Sequence, residues 1–138
     1  MNNHIVESYI QNPVHNNILQ DATITHHEWN SLCGDDITVY LQIQENIVTN
    51  YGYSGNPSSI TKAAASFLWD IIIGEDIHNI LHRDIQTVEK HDFIVSDRRK
   101  RAAVIAILAA RNAIHTYLHD GKVDTFDTIL HNTEKNLI

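Results

Sequence analysis

Cysteine is almost missing from this 138-residue chain: Cys33 is the only one. One thiol cannot close a disulfide within the chain, and a four-cysteine zinc site is excluded as well. Basic residues are scarce too. Ten Lys and Arg against 17 Asp and Glu give a formal net charge of −7, the opposite of what binders of nucleic acid or anionic membranes carry. Long apolar runs are absent. The longest, Ile71-Ile72-Ile73 and Ala102 to Ala110, fall well short of the roughly 20 residues of a membrane helix. The opening Met1-Asn2-Asn3-His4 lacks the Lys or Arg of a secretory signal, so a cytoplasmic location is expected. The chain contains no P-loop, G-x-G-x-x-G, G-x-S-x-G or H-E-x-x-H, and the expectation is a protein that is not an enzyme.

What is present is ordinary for one globular domain: 43% hydrophobic and 20% charged residues. Ile5, Val6, Tyr9 and Ile10 form a helical stripe that Asn12-Pro13 ends. Residues 14–36 show little periodicity and read as a loop with a short strand at Ala22–His26. Ile37, Val39, Leu41 and Ile43 alternate with polar residues, and Ile47–Tyr53 is a second β-rich run, so the two predict a hairpin. Ser58-Ser59 can cap a helix running to about Ile73. A shorter helix is expected over Glu75–Leu81, then a long one from Asp97, its candidate cap, to His119. The fold class is α+β: a small antiparallel sheet with helices packed on one face. Residues 1–121 read as a single domain and 122–138 as a polar C-terminal tail, with one weak helix around Phe126, Ile129 and Leu130.

Three features could carry chemistry. In Cys33-Gly34-Asp35 a thiol and a carboxylate stand two residues apart at a turn. Such a soft and hard donor pair suits zinc or iron; a small buried Cys beside a turn Asp is the simpler reading. Ten histidines are scattered, with His78/His82 and His115/His119 at i, i+4 spacing but without an intervening metalloprotease Glu. Those pairs read as solvent-facing. His26 and His27 precede Cys33. The cluster Arg98-Arg99-Lys100-Arg101 opposes the dipole at the start of its helix; it reads as a solvated charge run.

Taken in order, these pieces resemble the IscU/SufU/NifU-type iron–sulfur cluster assembly scaffolds. Asn12-Pro13 is similar to the family's opening motif and Cys33-Gly34-Asp35 to its C-G-D. Tyr53-Ser54-Gly55 resembles the stretch before the second cysteine, and Lys62 to Ser66 the start of the next helix. The resemblance covers residues 5–118. It implies a scaffold that transiently holds iron, zinc or a [2Fe–2S] cluster, with Cys33 and Asp35 as the metal- and cluster-binding residues and a cysteine desulfurase as partner. No nucleic-acid or membrane partner is expected.

The departures are equally specific. By spacing, the family's second cysteine falls on Ser58 and its third on Arg101. The Leu-Pro-Pro-Val-Lys motif of the IscU branch is replaced by Ile94-Val95-Ser96-Asp97-Arg98. A serine hydroxyl stays protonated at neutral pH and arginine offers no lone pair. The alternative is therefore a degenerate scaffold without metal chemistry, an adaptor or regulatory protein. In that reading Arg101 takes the metal's place and pairs with Asp35.

Overall fold

The structure, a computed structural model, describes residues 4–32 and 34–131. After helix α1 (His4–Gln11) the chain forms strands β1 (Ile24–Asn30), β2 (Asp35–Gln44) and β3 (Ile47–Ser54). Helices α2 (Ser59–Ile72), α3 (Ile77–Ile80), α4 (Ile85–Lys90), α5 (Lys100–Leu118) and α6 (Phe126–Leu130) follow. The strands make an antiparallel sheet in the order β1-β2-β3.

Strand β2 shows why one face is covered. Ile37, Val39, Leu41 and Ile43 are buried, while Thr38, Tyr40 and Gln42 between them stay partly exposed. This period-2 pattern turns one row of side chains toward the helices. The hairpin to β3 turns through Glu45 and Asn46, both at positive φ (52° and 66°), as a tight hairpin turn requires. Helix α5 buries every residue from Ala102 to Ala110, because it packs against β1, β2 and α2 and carries α4 and α6 as well. No helix of the described residues is long and apolar enough to cross a membrane.

The structure moves several boundaries. The strand expected over Ala22–His26 is β1, shifted to Ile24–Asn30. Its inward row contains His26, Glu28 and Asn30, so the apolar alternation that marks a strand is missing. His26 and Glu28 are satisfied by pairing: Glu28 Oε2 lies 2.7 Å from His26 Nε2 and accepts from Asn112 Nδ2 at 2.8 Å. The helix expected over Glu75–Leu81 is only Ile77–Ile80, capped by Asp76. Asp97 does not cap the long helix: residues 97–99 form a 3₁₀ turn, and α5 starts at Lys100 without a side-chain cap.

Residues 122–131 are tied to α5. Asp124 accepts from Arg111 Nε at 2.8 Å, and its backbone N–H donates to Asn112 Oδ1 at 2.8 Å. His115 is buried rather than solvent-facing, with Nδ1 2.7 Å from Asp120 and Nε2 2.9 Å from Asp124. The weak last helix is α6, and its Ile129 is fully buried. The remainder of the polar segment, 132–138, lies outside the described residues.

Candidate functional site

Asp35 opens β2 at the end of the sheet facing the start of α2, and only 5% of it is exposed. A carboxylate buried to this degree needs donors, and α2 supplies them. Oδ1 accepts the Ser58 backbone N–H at 2.7 Å. Oδ2 accepts the Ser58 hydroxyl at 3.0 Å and the Thr61 hydroxyl at 2.8 Å. Ser58 is also the N-cap of α2, accepting from Thr61 N at 3.5 Å. The negative charge thus sits where the helix dipole favours it. Sequence reasoning reached Ser58 through cysteine spacing but missed Thr61; the Ser58-x-x-Thr61 spacing at a helix start was the available signal.

The turn leading to α2 is fixed from the neighbouring residue. Asp36 Oδ1 accepts the Asn56 N–H at 2.8 Å and its other oxygen lies 3.3 Å from His27 Nε2. The Asn56 N–H, and after it His27, hold the Asp36 carboxyl below its ordinary range. Gly55, at φ +121°, lies so close that a Cβ would stand 3.0 Å from the carbonyl oxygen of Asp36.

Cys33 itself lies outside the described residues. Its loop is closed by Asn30, the direct cross-strand partner of Asp35. The Asn30 carbonyl accepts the Gly34 N–H at 2.9 Å and its Oδ1 accepts the Leu32 N–H at 3.3 Å. Asn30 is 1% exposed, and among the described residues its Nδ2 has no hydrogen-bond partner.

Of the residues expected to converge, Asp35 and Ser58 do. Arg101 does not join them. Its guanidinium carbon lies 4.7 Å from the centroid of the Phe126 ring on α6, a cation–π contact, and among the described residues no ion pair links it to Asp35. The helical phase of α5 explains this: position 101 faces α6, whereas Ala102, the next residue along α5, lies about 100° away from it and faces α2. There a cavity of about 400 Å³ lies between Asp35, Ser58 and the first turn of α2 on one side and Arg98, Arg99 and Ala102 on the other. The histidines bring no metal ligands here. Among the described residues no group of three or more His, Cys, Asp or Glu is placed to hold a metal ion. Asp35 contributes one carboxylate, already accepting three hydrogen bonds, so the described residues do not fit a resident metal centre.

Comparison with known proteins agrees with this architecture. Residues 1–124 match the model of the NifU-like N terminal domain. Over 62 residues the chain is 37% identical to the iron–sulfur cluster assembly scaffold protein IscU of Thermotoga maritima, covering 45% of this chain and 44% of that protein. Over 77 residues it is 29% identical to the zinc-dependent sulfurtransferase SufU of Bacillus subtilis, covering 56% and 52%. The chain thus spans about half the length of the curated relatives it matches. Among solved structures, the N-terminal part of a nitrogen-fixing NifU-like protein from Brucella abortus superposes with a TM-score of 0.71 at 14% identity, covering 86% of this chain and 95% of that one. A SUF-system scaffold from Fervidobacterium islandicum superposes with a TM-score of 0.69 at 13% identity, covering 80% and 94%. With a three-stranded sheet, a C-G-D motif in the sequence whose Asp35 opens the second strand, and a family match across nearly the whole length, this chain belongs to the NifU-like N-terminal domain family.

Proposed function

We propose that this protein serves iron–sulfur cluster assembly as a scaffold-type protein whose cargo is iron, zinc or a [2Fe–2S] cluster. Cys33 and Asp35 are its own contributions to holding that cargo. The missing ligands come from the protein that delivers or receives it, a cysteine desulfurase being the delivering partner. Family membership supports this, as does the position of Asp35 at the head of β2. The observation that carries the reading furthest is the buried Nδ2 of Asn30, which has no partner among the described residues and lies on the residue that bonds Leu32 and Gly34. A buried amide donor left without an acceptor costs about 1–3 kcal/mol, and a thiolate or a cargo sulfide is an acceptor.

A second reading, an adaptor that keeps the fold without metal chemistry, rests on the three hydrogen bonds that occupy Asp35. Reconstitution with ferrous iron and sulfide, with and without a cysteine desulfurase, separates the two. Scaffold function predicts visible absorption that appears with the desulfurase and is lost in Cys33→Ala and Asp35→Asn. A colourless, metal-free protein under both conditions overturns it in favour of the adaptor.

A further inference from the structure

We propose that the cavity between α2 and the start of α5 binds the phosphate group of a small organic phosphate ester. Its wall holds Arg98 and Arg99. The chain's other arginines have partners: Arg83 pairs with Glu75, Arg111 with Asp124, and Arg101 lies on Phe126. Lys100 is shared by Glu89 and Asp97. Among the described residues no carboxylate lies within ion-pair distance of Arg98 or Arg99, although the chain carries a net charge of −7. Both are solvent-exposed, so water weakens their mutual repulsion without removing it, and no carboxylate among the described residues offsets it.

Their location adds to the cost. They immediately precede α5, a 19-residue helix, where positive charge opposes the helix dipole. The one carboxylate in the wall, Asp35, is 5% exposed and already engaged by Ser58 and Thr61. These neutral donors leave Asp35 its single negative charge, but the two guanidiniums of the wall outweigh it, and their forked donors suit a phosphate. The hydroxyls of Ser58 and Ser59 border the same space. A volume of about 400 Å³ exceeds what an inorganic phosphate fills, given that one water takes roughly 30 Å³, and falls in the usual range of small-molecule sites. The inference goes beyond the scaffold reading and requires no metal at Cys33.

The test is a titration of the full chain with inorganic phosphate and with phenyl phosphate at constant ionic strength, followed by amide chemical shifts. Saturable shifts are expected at Ser59, Ile60, Arg99 and Ala102, with phenyl phosphate binding several-fold more tightly. Arg98→Gln/Arg99→Gln should weaken binding at least about tenfold, which is about 1.4 kcal/mol. Arg98→Lys/Arg99→Lys, which keeps the charge, should retain measurable binding. Lys90→Gln, which changes a residue outside the lining of this cavity, should bind like the natural protein. Non-saturating shifts, undiminished binding in the Gln pair, or equal loss in Lys90→Gln would overturn the site. Equal affinity for the two probes would overturn the ester.

Discussion

Thr61 Oγ1 donates to Asp35 Oδ2 at 2.8 Å, joining the first turn of a helix to the first residue of a strand 26 positions earlier. Thr61 is fully buried, so the bond has no competition from water. Thr61→Val keeps the shape and removes the donor. It should cost about 1.5–3 kcal/mol, the usual worth of a hydrogen bond to a charged group. The readout is the urea unfolding midpoint, and a loss below about 0.5 kcal/mol would mean that Ser58 alone holds Asp35.

Arg101 now has a modest expected effect. A cation–π contact at a partly exposed site is worth about 0.5–1 kcal/mol, whereas a partner of buried Asp35 would cost about 3–5 kcal/mol on removal. Arg101→Ala should fall in the smaller range. Its effect should add to that of Asp35→Asn, because the two groups share no partner. Strong coupling in the double-mutant cycle would restore the pairing that the sequence suggested.

The tie between α5 and the segment after it should be far more sensitive than an ion pair at the surface. Arg111 and Asp124 are 11% and 12% exposed, and Arg111 also donates to the Arg83 carbonyl at 2.7 Å. Arg111→Ala leaves Asp124 only the His115 ring at 2.9 Å and also removes the bond to the Arg83 carbonyl; it should cost about 3 kcal/mol, the low end for breaking a buried pair. Glu89→Ala, which removes a 3.6 Å pair with Lys100 at 35–40% exposure, should cost at most about 1 kcal/mol. Thermal or urea unfolding of the two variants side by side measures the contrast.

Gly52 is fixed by contact rather than by its backbone angles. A Cβ there would stand 2.3 Å from the carbonyl oxygen of Asn17. The segment around Asn17 is itself pinned: the Tyr53 N–H donates to the His15 carbonyl at 3.2 Å, and the His15 ring stacks on Trp69 at 3.8 Å. Gly52→Ala should therefore cost about 1–3 kcal/mol, the usual range for overpacking. Faster hydrogen exchange at Val14, whose N–H donates to Ser66 Oγ, is the specific sign. Unchanged exchange would show that the segment yields without strain.

Acid should unfold the protein through its carboxylates. Backbone N–H groups and histidines hold Asp36, Asp76 and Asp120 below their ordinary range. In Glu28, burial pushes upward, but hydrogen bonds from His26 and Asn112 outweigh it and the net direction is down. A carboxylate with a lowered folded-state pKa adds stability above its unfolded value of roughly 4. That contribution disappears as the pH falls through the folded-state value. Unfolding midpoints should thus drop steeply below about pH 4, and Glu28→Gln should flatten the drop. Parallel curves for the two proteins would show that Glu28 contributes nothing to it.

Local pattern in the chain determined much of this molecule. The alternation from Ile37 to Ile43 specified a half-buried strand and its inward row. The stripes of α2 and α5 specified two helices with apolar faces, and Ser58 stood at the helix start as a cap residue. These readings held because each depends on residues a few positions apart, where spacing alone sets which side chains share a face. Strand β1 escaped them, since three of its inward residues, His26, Glu28 and Asn30, are polar, and Glu28 finds its partner in Asn112, 84 positions away.

The site shows the same division. Cys33-Gly34-Asp35 and the place of Ser58 could be read from order and spacing. That Asp35 is engaged by Thr61, that Arg101 turns to Phe126, and that Arg98 and Arg99 face a cavity with Asp35 could not. Those facts depend on the phase of α5 about its own axis and on the approach of α6. Packing settles both: one residue of rotation about the helix moves a side chain by about 100°, enough to carry a guanidinium from the anionic end of the sheet to an aromatic ring.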